Sequence, residues 1–323
     1  AAEPFLEQMA QKSAALTRQR FGHTIGFYLP LYLSNLCANA CTYCGFSMEN
    51  RIKRRTLNQQ ELDAECQAIK AMNFDNVLLV TGEHETKVGM NYFRQMLPKI
   101  KPYFNYLAME VQPLDQEEYQ ELKELGLDAV MVYQETYNAS TYAKHHLRGN
   151  KMDFAYRLET ADRLGKAGID KIGIGALIGL EEWRTDCFYV AAHLRYLETS
   201  YWQSRYSISF PRLRPCEGGL QPKSIMDDRQ LVQLICAYRL FNPEVELSLS
   251  TRESAQFRDN VLPLGITTMS AASKTQPGGY ANAEPELEQF SISDERSAQA
   301  VANAVAQKGF SVVWKDWERT YSG

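Results

Sequence analysis

Short runs of apolar residues alternate along the chain with longer segments whose apolar residues recur at helical spacing, such as Leu62, Cys66 and Ile69. The runs that we predict to be strands are Phe27–Leu33, Val77–Val80, Tyr106–Val111, Ala129–Tyr133, Ile172–Ile178, Tyr206–Phe210, Val245–Ser250 and Ile266–Ala272. Strands separated by helices predict a parallel sheet with right-handed crossovers, and eight such strands close a (βα)8 barrel. A doubly wound open sheet has the same alternation. The pattern therefore favours the barrel and leaves the open sheet as the alternative.

The alternation continues along the chain without a break that would separate domains. The 323 residues contain no fixed-period repeat and no long linker rich in Pro, Gly or Ser. We therefore predict a single barrel domain over residues 1–323, because barrels of this length are common. A short N-terminal helix at about residues 1–22 precedes the barrel, and a C-terminal extension at about residues 280–323 follows it.

Composition and charge narrow the class of protein. Hydrophobic residues make up 45% of the chain, charged residues make up 23%, and the formal net charge is -4. Such a chain can bury a sizeable core, and it has no excess positive charge to attract nucleic acid or an anionic membrane. No stretch approaches 18 consecutive apolar residues, and the amino end is typical of a polar helix rather than a signal peptide, so we expect no membrane span.

Three of the seven cysteines provide the strongest chemical signal. Cys37, Cys41 and Cys44 follow the first predicted strand with the spacing C-x3-C-x2-C. An odd, clustered set argues against a disulfide framework and for the reducing cytoplasm. Three neighbouring thiols favour one soft metal centre, such as an iron–sulfur cluster with an iron left free for an external ligand. Structural zinc usually takes four protein ligands, so a non-catalytic zinc scaffold completed by a remote residue is the alternative.

The residues around the triplet resemble those of a known family. Tyr43 precedes the last cysteine, as an aromatic residue does in radical S-adenosylmethionine (SAM) enzymes. The wider sequence resembles the aromatic amino-acid lyases of that superfamily, and among them the tyrosine lyases of bacterial thiamine (thiazole) biosynthesis. The resemblance extends over essentially the whole chain, through the strings LYLSNLCANACTYCGFSMENRIKRRTL, LLVTGEHE, MEVQPL, VYQETY, GIDKIGIGALIGL, FPRLRP, LSLSTRES, SKTQPGGY and VVWKDW.

The resemblance implies a radical SAM barrel with defined cofactors and a defined reaction. The three cysteines would hold a 4Fe–4S cluster whose fourth iron binds SAM. One electron from a flavodoxin- or ferredoxin-type donor would lead to cleavage of SAM into methionine and a 5′-deoxyadenosyl radical, which ends as 5′-deoxyadenosine. The radical would act on L-tyrosine, whose Cα–Cβ bond would break to give 2-iminoacetate (dehydroglycine) and p-cresol. A related lyase acting on tryptophan is the alternative within the family.

The resemblance also implies a partner, because the imine product is unstable in water. We therefore expect transfer to a thiazole synthase, within a complex. Trp314, Lys315, Asp316 and Trp317 provide aromatic and charged groups that suit an interface. These residues could equally pack back on their own barrel.

Family landmarks place the SAM site at the ends of several predicted strands. Thr81, Gly82 and Glu83 follow the second strand, and the missing side chain of Gly82 permits a close approach to the methionine part of SAM. The other residues that the resemblance assigns to SAM are Tyr43, Glu110, Gln134, Glu135 and Arg157. Carboxylates at strand ends can bind the SAM ammonium or the ribose hydroxyls, and a guanidinium can bind the SAM carboxylate.

For the substrate, the resemblance indicates the end of the seventh strand. Ser250 and Arg252 form a Ser-x-Arg motif there, and the fork of a guanidinium matches an amino-acid carboxylate. The further substrate candidates are Ser270 on the eighth strand, Tyr32 on the first strand, and Arg212 with Arg214 after the sixth.

A related group of hydrogenase maturases converts tyrosine into CO and cyanide and carries a second cysteine motif near the carboxyl end. No cysteine follows Cys236 in the sequence given. We therefore expect the reaction to stop at the imine.

Overall fold

The computed structural model describes residues 3–214, 219–282 and 288–315, which form a barrel with flanking helices. The strands are β1 (Thr24–Ser34), β2 (Ala40–Cys41), β3 (Asn76–Thr81), β4 (Tyr106–Glu110), β5 (Ala129–Met131), β6 (His146–Arg148), β7 (Lys171–Gly175), β8 (Arg205–Ser209), β9 (Glu246–Leu249), β10 (Thr268–Ser270) and β11 (Ser311–Val313). The α-helices are α1 (Leu6–Phe21), α2 (Gln59–Ala71), α3 (Met90–Ile100), α4 (Gln116–Glu124), α5 (Ala139–His145), α6 (Phe154–Leu158), α7 (Thr160–Lys166), α8 (Trp183–Ser200), α9 (Asp228–Phe241), α10 (Ala255–Gly265) and α11 (Ala298–Gln307).

Eight parallel strands close the barrel in the order β1, β3, β4, β5, β7, β8, β9, β10. The closing pair is β1 with β10, in which Phe27 lies opposite Met269. The predicted barrel is therefore confirmed and the open sheet is wrong. All eight predicted strands are present, although several are shorter than the apolar runs, because the ends of those runs leave the sheet and enter the loops above it.

Several helices begin where the sequence provides a capping side chain and an apolar face. In α2, Asn58 and Glu61 make a reciprocal capping box, and Leu62, Cys66 and Ile69 are fully buried. Capping boxes also begin α4 and α9. The main core lies between these helices and the outer faces of the strands. Within the described residues, no helix is both long enough and apolar enough to cross a membrane.

Two further elements, α1 and β11, lie outside the eight barrel strands, and β11 pairs with the amino-terminal end of β1. The predicted N-terminal helix is α1, which packs against α9 and α10. Strand β11 extends the sheet beside β1, where Ser311 pairs with Thr24. The Trp314 ring lies edge-on to Phe27 and Phe74, at centroid distances of 5.2 and 5.1 Å. Trp314 therefore packs back on its own barrel, whereas Asp316 and Trp317 lie outside the described residues.

The opposite end of the barrel carries two features that strand periodicity does not predict. The two-residue strand β2 pairs antiparallel with β6, which joins the cysteine loop to the segment after α5. The C-terminal extension crosses the barrel mouth and is fixed there by buried carboxylates. Glu65 accepts hydrogen bonds from the backbone N–H groups of Tyr280 and Ala281, and Asp294 pairs with the fully buried Arg258.

Candidate active site

A single continuous cavity opens at the carboxyl ends of the barrel strands, where active sites of such barrels lie. The predicted site residues that line it are Tyr32, Cys37, Cys41, Tyr43, Cys44, Thr81, Gly82, Glu83, Glu110, Glu135, Arg157, Arg214, Ser250, Arg252 and Ser270. The fold thus brings together residues from the first strand to the eighth.

Cys37, Cys41 and Cys44 are free thiols on the loop that follows β1. Burial, with the nearby Glu83 carboxylate, raises the pKa of Cys37 to about 11, and burial also raises the pKa values of Cys41 and Cys44. The loop is held in place by the β2–β6 pairing and by the Ala38 N–H, which donates to the Glu83 carbonyl at 2.8 Å.

Tyr43, the aromatic residue of the cysteine motif, is fixed by a histidine. Its hydroxyl lies 2.7 Å from His146 Nε2, and His146 Nδ1 lies 2.7 Å from the Tyr142 carbonyl. Burial lowers the pKa of His146 to about 3, so this imidazole is neutral at physiological pH. His146 therefore positions the cysteine loop and does not carry charge into the site.

Gly82 allows the second strand end to approach the cysteine loop closely. A Cβ atom there would overlap the Leu36 carbonyl and would lie 3.1 Å from the Cys37 Cβ. The contact includes backbone that cannot move aside, so only glycine fits. This close packing brings Glu83 next to the triplet, and the approach of Gly82 to SAM stays a prediction.

Four buried charges lie beside the cysteine loop. Arg157 Nη1 donates to Glu83 at 3.0 Å, and Lys151 Nζ donates to Glu135 at 2.8 Å. The crossed distances, Lys151 to Glu83 and Arg157 to Glu135, are 3.7 and 3.6 Å. Burial opposes ionisation of Glu135, but Lys151 and Arg157 together lower its pKa to about 2. All four groups are therefore ionised, and we define them as the four-charge group.

Glu110 lies in the same cavity but outside the four-charge group. Within the described part of the chain its carboxyl makes no hydrogen bond or ion pair. Burial, reinforced by the negative charge of Glu135, raises the pKa of Glu110 to about 7, although Arg252 opposes the shift. This carboxyl can therefore gain or lose a proton near neutral pH.

Arg252 lies on the other side of the cavity, where its guanidinium stacks on the Phe290 ring at 3.5 Å. Burial lowers the pKa of Arg252, and no carboxylate among the described residues pairs with it. The turn that carries it is braced by two hydroxyls. Ser250 Oγ accepts from the Arg252 N–H at 3.3 Å, and Ser270 Oγ accepts from the Thr251 N–H at 3.1 Å. The site therefore presents a held, unneutralised cation.

Two predicted residues do not line the cavity. Gln134 lies between the cavity residues Tyr133 and Glu135, but its own buried side chain donates to the Phe154 carbonyl instead. Arg212 is occupied by Glu253 and Asp228, with its Nε 3.0 Å from a Glu253 oxygen. A guanidinium with two carboxylate partners has little capacity left for a substrate anion.

Comparisons with known proteins decide the family. The model of the radical SAM superfamily matches residues 31–186, and that of the Biotin and Thiamin Synthesis associated domain matches residues 209–311. The 2-iminoacetate synthase of Escherichia coli (strain K12) is 65% identical over 319 residues, which cover 98% of this chain and 85% of the relative. That of Salmonella typhimurium is 64% identical over the same shares. The chain belongs to the 2-iminoacetate synthase family.

Solved structures agree with this family. The hydrogenase maturase HydG superposes with a TM-score of 0.93 at 29% identity, covering 97% of this chain and 70% of the maturase. HydG from Carboxydothermus hydrogenoformans has a TM-score of 0.90 at 33% identity, covering 96% of this chain and 72% of its own. Methylornithine synthase, at 20% identity and a TM-score of 0.77 over 95% of this chain and 89% of its own, shares the fold. The protein is a radical SAM lyase, and the zinc-scaffold alternative is wrong.

A 4Fe–4S cluster and SAM are the cofactors of this family, and the donor set fits them. Thiolates are the ligands that such clusters take, and three thiols leave one iron for SAM. Among the described residues, no three His, Cys, Asp or Glu side chains converge on one metal ion. A cluster needs no such convergence, because its thiolates bind different irons. Metal binding would also deprotonate the three buried thiols.

Several residues of the site are not among the sequence predictions, and three of them bear on its chemistry. Lys151 contacts Glu135, and Gln289 and Phe290 close the cavity from the C-terminal extension. Lys151 reaches the site through the β2–β6 pairing, and the other two reach it through the extension. Neither route leaves a periodic signal in the sequence, and a family landmark would have been needed to find these residues.

Proposed function

We propose that this member of the 2-iminoacetate synthase family cleaves the Cα–Cβ bond of L-tyrosine to give 2-iminoacetate and p-cresol. The relatives that are about two thirds identical carry that product in their name. The observation that carries the proposal is the half-buried Arg252 guanidinium, which has no carboxylate partner among the described residues and lies in the same cavity as the three thiols.

On the substrate side, Arg252 would bind the amino-acid carboxylate through two parallel N–H···O bonds. Stacking on Phe290 holds the guanidinium before substrate arrives, and the hydroxyls of Ser250 and Ser270 hold the backbone turn that carries it. Glu110 lies near this cation and would attract the substrate ammonium when ionised. Together the two groups match the charges of an amino-acid zwitterion, while Tyr32 would contact the rest of the substrate.

On the SAM side, the four-charge group would bind the polar ends of the cofactor. Glu83 suits the SAM ammonium, Arg157 suits its carboxylate, and Glu135 suits the ribose hydroxyls. Lys151 would keep Glu135 ionised and in place. When bound, the cluster and SAM supply a 5′-deoxyadenosyl radical. The closed barrel would exclude water from it and hold the substrate within reach.

Product analysis tests the proposal. Anaerobically reconstituted protein is incubated with SAM, a one-electron reductant and either tyrosine or tryptophan. We expect p-cresol and 5′-deoxyadenosine in about equal amounts with tyrosine. Formation of 3-methylindole from tryptophan, with no p-cresol from tyrosine, would overturn the proposal in favour of the tryptophan lyase.

Delivery of the imine completes the proposal. Because 2-iminoacetate hydrolyses in water, we propose that the protein passes it to a thiazole synthase within a complex, in the reducing cytoplasm and with a flavodoxin- or ferredoxin-type electron donor. Since Trp314 packs on its own barrel, the surface around the barrel mouth suits such a complex better than this residue does. Anaerobic co-purification tests the complex, and absence of association would contradict it.

A further inference from the structure

Gln289 connects the cysteine loop to the first barrel strand. Its side-chain Nε2 lies 3.6 Å from Cys44 Sγ, within the range of a hydrogen bond to sulfur. Its Oε1 accepts from the Tyr32 hydroxyl at 2.7 Å. One amide thus contacts both a residue of the cluster motif and a residue of the substrate candidates.

The chemistry of the two partners fixes the orientation of the amide. A metal-bound thiolate can only accept a hydrogen bond, so the NH2 group of Gln289 must face Cys44. The amide oxygen then faces the Tyr32 hydroxyl, which donates to it. An amide rotated by 180° would place its oxygen against the anionic sulfur and would lose the hydrogen bond from the Tyr32 hydroxyl.

The backbone holds Gln289 at this position. The Gly45 N–H donates to the Gln289 carbonyl at 3.1 Å, and the Gln289 N–H donates to the Thr275 carbonyl at 2.9 Å. A Cβ atom at Gly45 would overlap the Gln289 carbonyl oxygen and lie 3.0 Å from its carbon. A residue with a side chain would therefore not fit after Cys44, since Gln289 packs directly against Gly45.

We propose that Gln289 is a positioning residue that donates a hydrogen bond to the Cys44 thiolate and thereby raises the reduction potential of the 4Fe–4S cluster. Hydrogen bonds to cluster sulfurs stabilise the reduced form, which carries more negative charge. The neighbouring Phe290 stacks on Arg252, so the C-terminal extension places one residue on the cluster side and one on the substrate side.

A redox titration of the reconstituted protein, followed by electron paramagnetic resonance, tests the proposal. Gln289→Leu keeps much of the side-chain volume and loses both hydrogen bonds. We expect a more negative midpoint potential, up to about a tenfold lower ratio of reduced to oxidised cluster at fixed potential, or 59 mV for a one-electron couple. Tyr32→Phe should give a smaller shift in the same direction, because the amide loses only its orienting partner.

Gln112→Leu is the matched control, because Gln112 is a buried amide that donates to the Val88 carbonyl and lies outside the cavity. Its potential should equal that of the unmodified protein. The proposal is overturned if Gln289→Leu binds iron fully and has an unchanged potential, or if Gln112→Leu shows the same shift or the same loss of iron. If Gln289→Leu does not bind iron fully, Tyr32→Phe provides the measurement, and an unchanged potential in that variant overturns the proposal. The titration needs no substrate, so failure of tyrosine cleavage would leave its result unaffected.

Discussion

At the scale of the residue, the site divides its charges into paired and unpaired ones. Lys151 and Arg157 are neutralised by Glu135 and Glu83 within the four-charge group. Arg252 lies half-buried in the cavity without a carboxylate partner among the described residues. A buried charge without a partner is costly, so its retention indicates a ligand of opposite charge.

Neutralising Arg252 should separate substrate binding from SAM binding. An unpaired substrate carboxylate in this cavity would cost on the order of 2–5 kcal/mol, or roughly 30- to several-thousand-fold in p-cresol formation for Arg252→Gln. The variant should keep its iron and cleave SAM slowly, since the cysteine loop lies on another strand end. Arg252→Lys should restore activity only partly, because an ammonium cannot reproduce the fork. Near-normal p-cresol yield from Arg252→Gln would remove this residue from the substrate site.

Glu110 should make stability depend on pH in the protein without cluster or SAM. Burial and the Glu135 charge raise its folded-state pKa to about 7, so the fold prefers the neutral carboxyl. The stability that this preference contributes is present below pH 4.5 and is lost as the pH rises through about 7. Glu110→Gln, which stays neutral, should therefore be about 2–3 kcal/mol more stable than the unmodified protein at pH 8.

Denaturant unfolding at pH 8 and at pH 4.5 measures that difference for Glu110. At pH 4.5 the two proteins should have nearly equal stability. A Glu110→Gln variant that is less stable at pH 8 would show that the ionised carboxylate is stabilised in the fold.

The three motif cysteines should differ sharply from Cys66. Alanine at Cys37, Cys41 or Cys44 should abolish cluster binding and SAM cleavage, because each provides one thiolate to the cluster. Cys66 is buried on the apolar face of α2 and does not line the cavity, so Cys66→Ala should keep its iron. Iron content and 5′-deoxyadenosine yield measure both effects. Normal 5′-deoxyadenosine formation in one triplet variant would contradict the cluster assignment.

At the scale of the element, the C-terminal extension depends on a buried ion pair. Arg258 of α10 and Asp294 have fully buried side chains, and Arg296 also bonds to Asp294 at 2.8 Å. Asp294→Ala would leave Arg258 buried without its carboxylate, at a cost of about 3–5 kcal/mol. We expect faster hydrogen exchange in residues 288–297 and a lower melting temperature.

Arg258→Met combined with Asp294→Leu is the control for that ion pair. Replacing both partners by apolar side chains should recover much of the lost stability. If Asp294→Ala proves as stable as the unmodified protein, the ion pair does not anchor the extension.

The sequence predicts the barrel strands but not the short β2–β6 pairing. The outer faces of the eight barrel strands are apolar and pack in the main core, which makes the strands visible as runs between helices. Strand β2 has two residues and exists only because the cysteine loop meets β6. No local pattern encodes such a pairing, so Lys151 could not be placed beside Glu135 from sequence.

At the scale of the whole molecule, barrel topology predicts most of the site. Once eight parallel strands close, residues at their carboxyl ends must meet, which is why Glu83, Glu110 and Glu135 were found. The same rule cannot tell which side chains are already paired, as Arg212 is with Glu253, 41 residues further along the chain. It also cannot predict what crosses the mouth, as Gln289 does.

Ligand binding should stabilise the whole barrel in two separable steps. The proposed SAM residues come from the cysteine loop, β3, the end of β5 and α6, so SAM would connect elements far apart in the chain. At a free concentration of about one hundred times its Kd, SAM should add about 2.7 kcal/mol to the free energy of unfolding. This corresponds to roughly 5 °C in melting temperature for a barrel of this size. Tyrosine should add a further increment through Arg252.

Thermal unfolding of the oxidised, reconstituted protein, which has no reductant to cleave SAM, measures both increments. Arg252→Gln should keep the SAM increment and lose the tyrosine increment; loss of both would mean that the two sites do not bind independently.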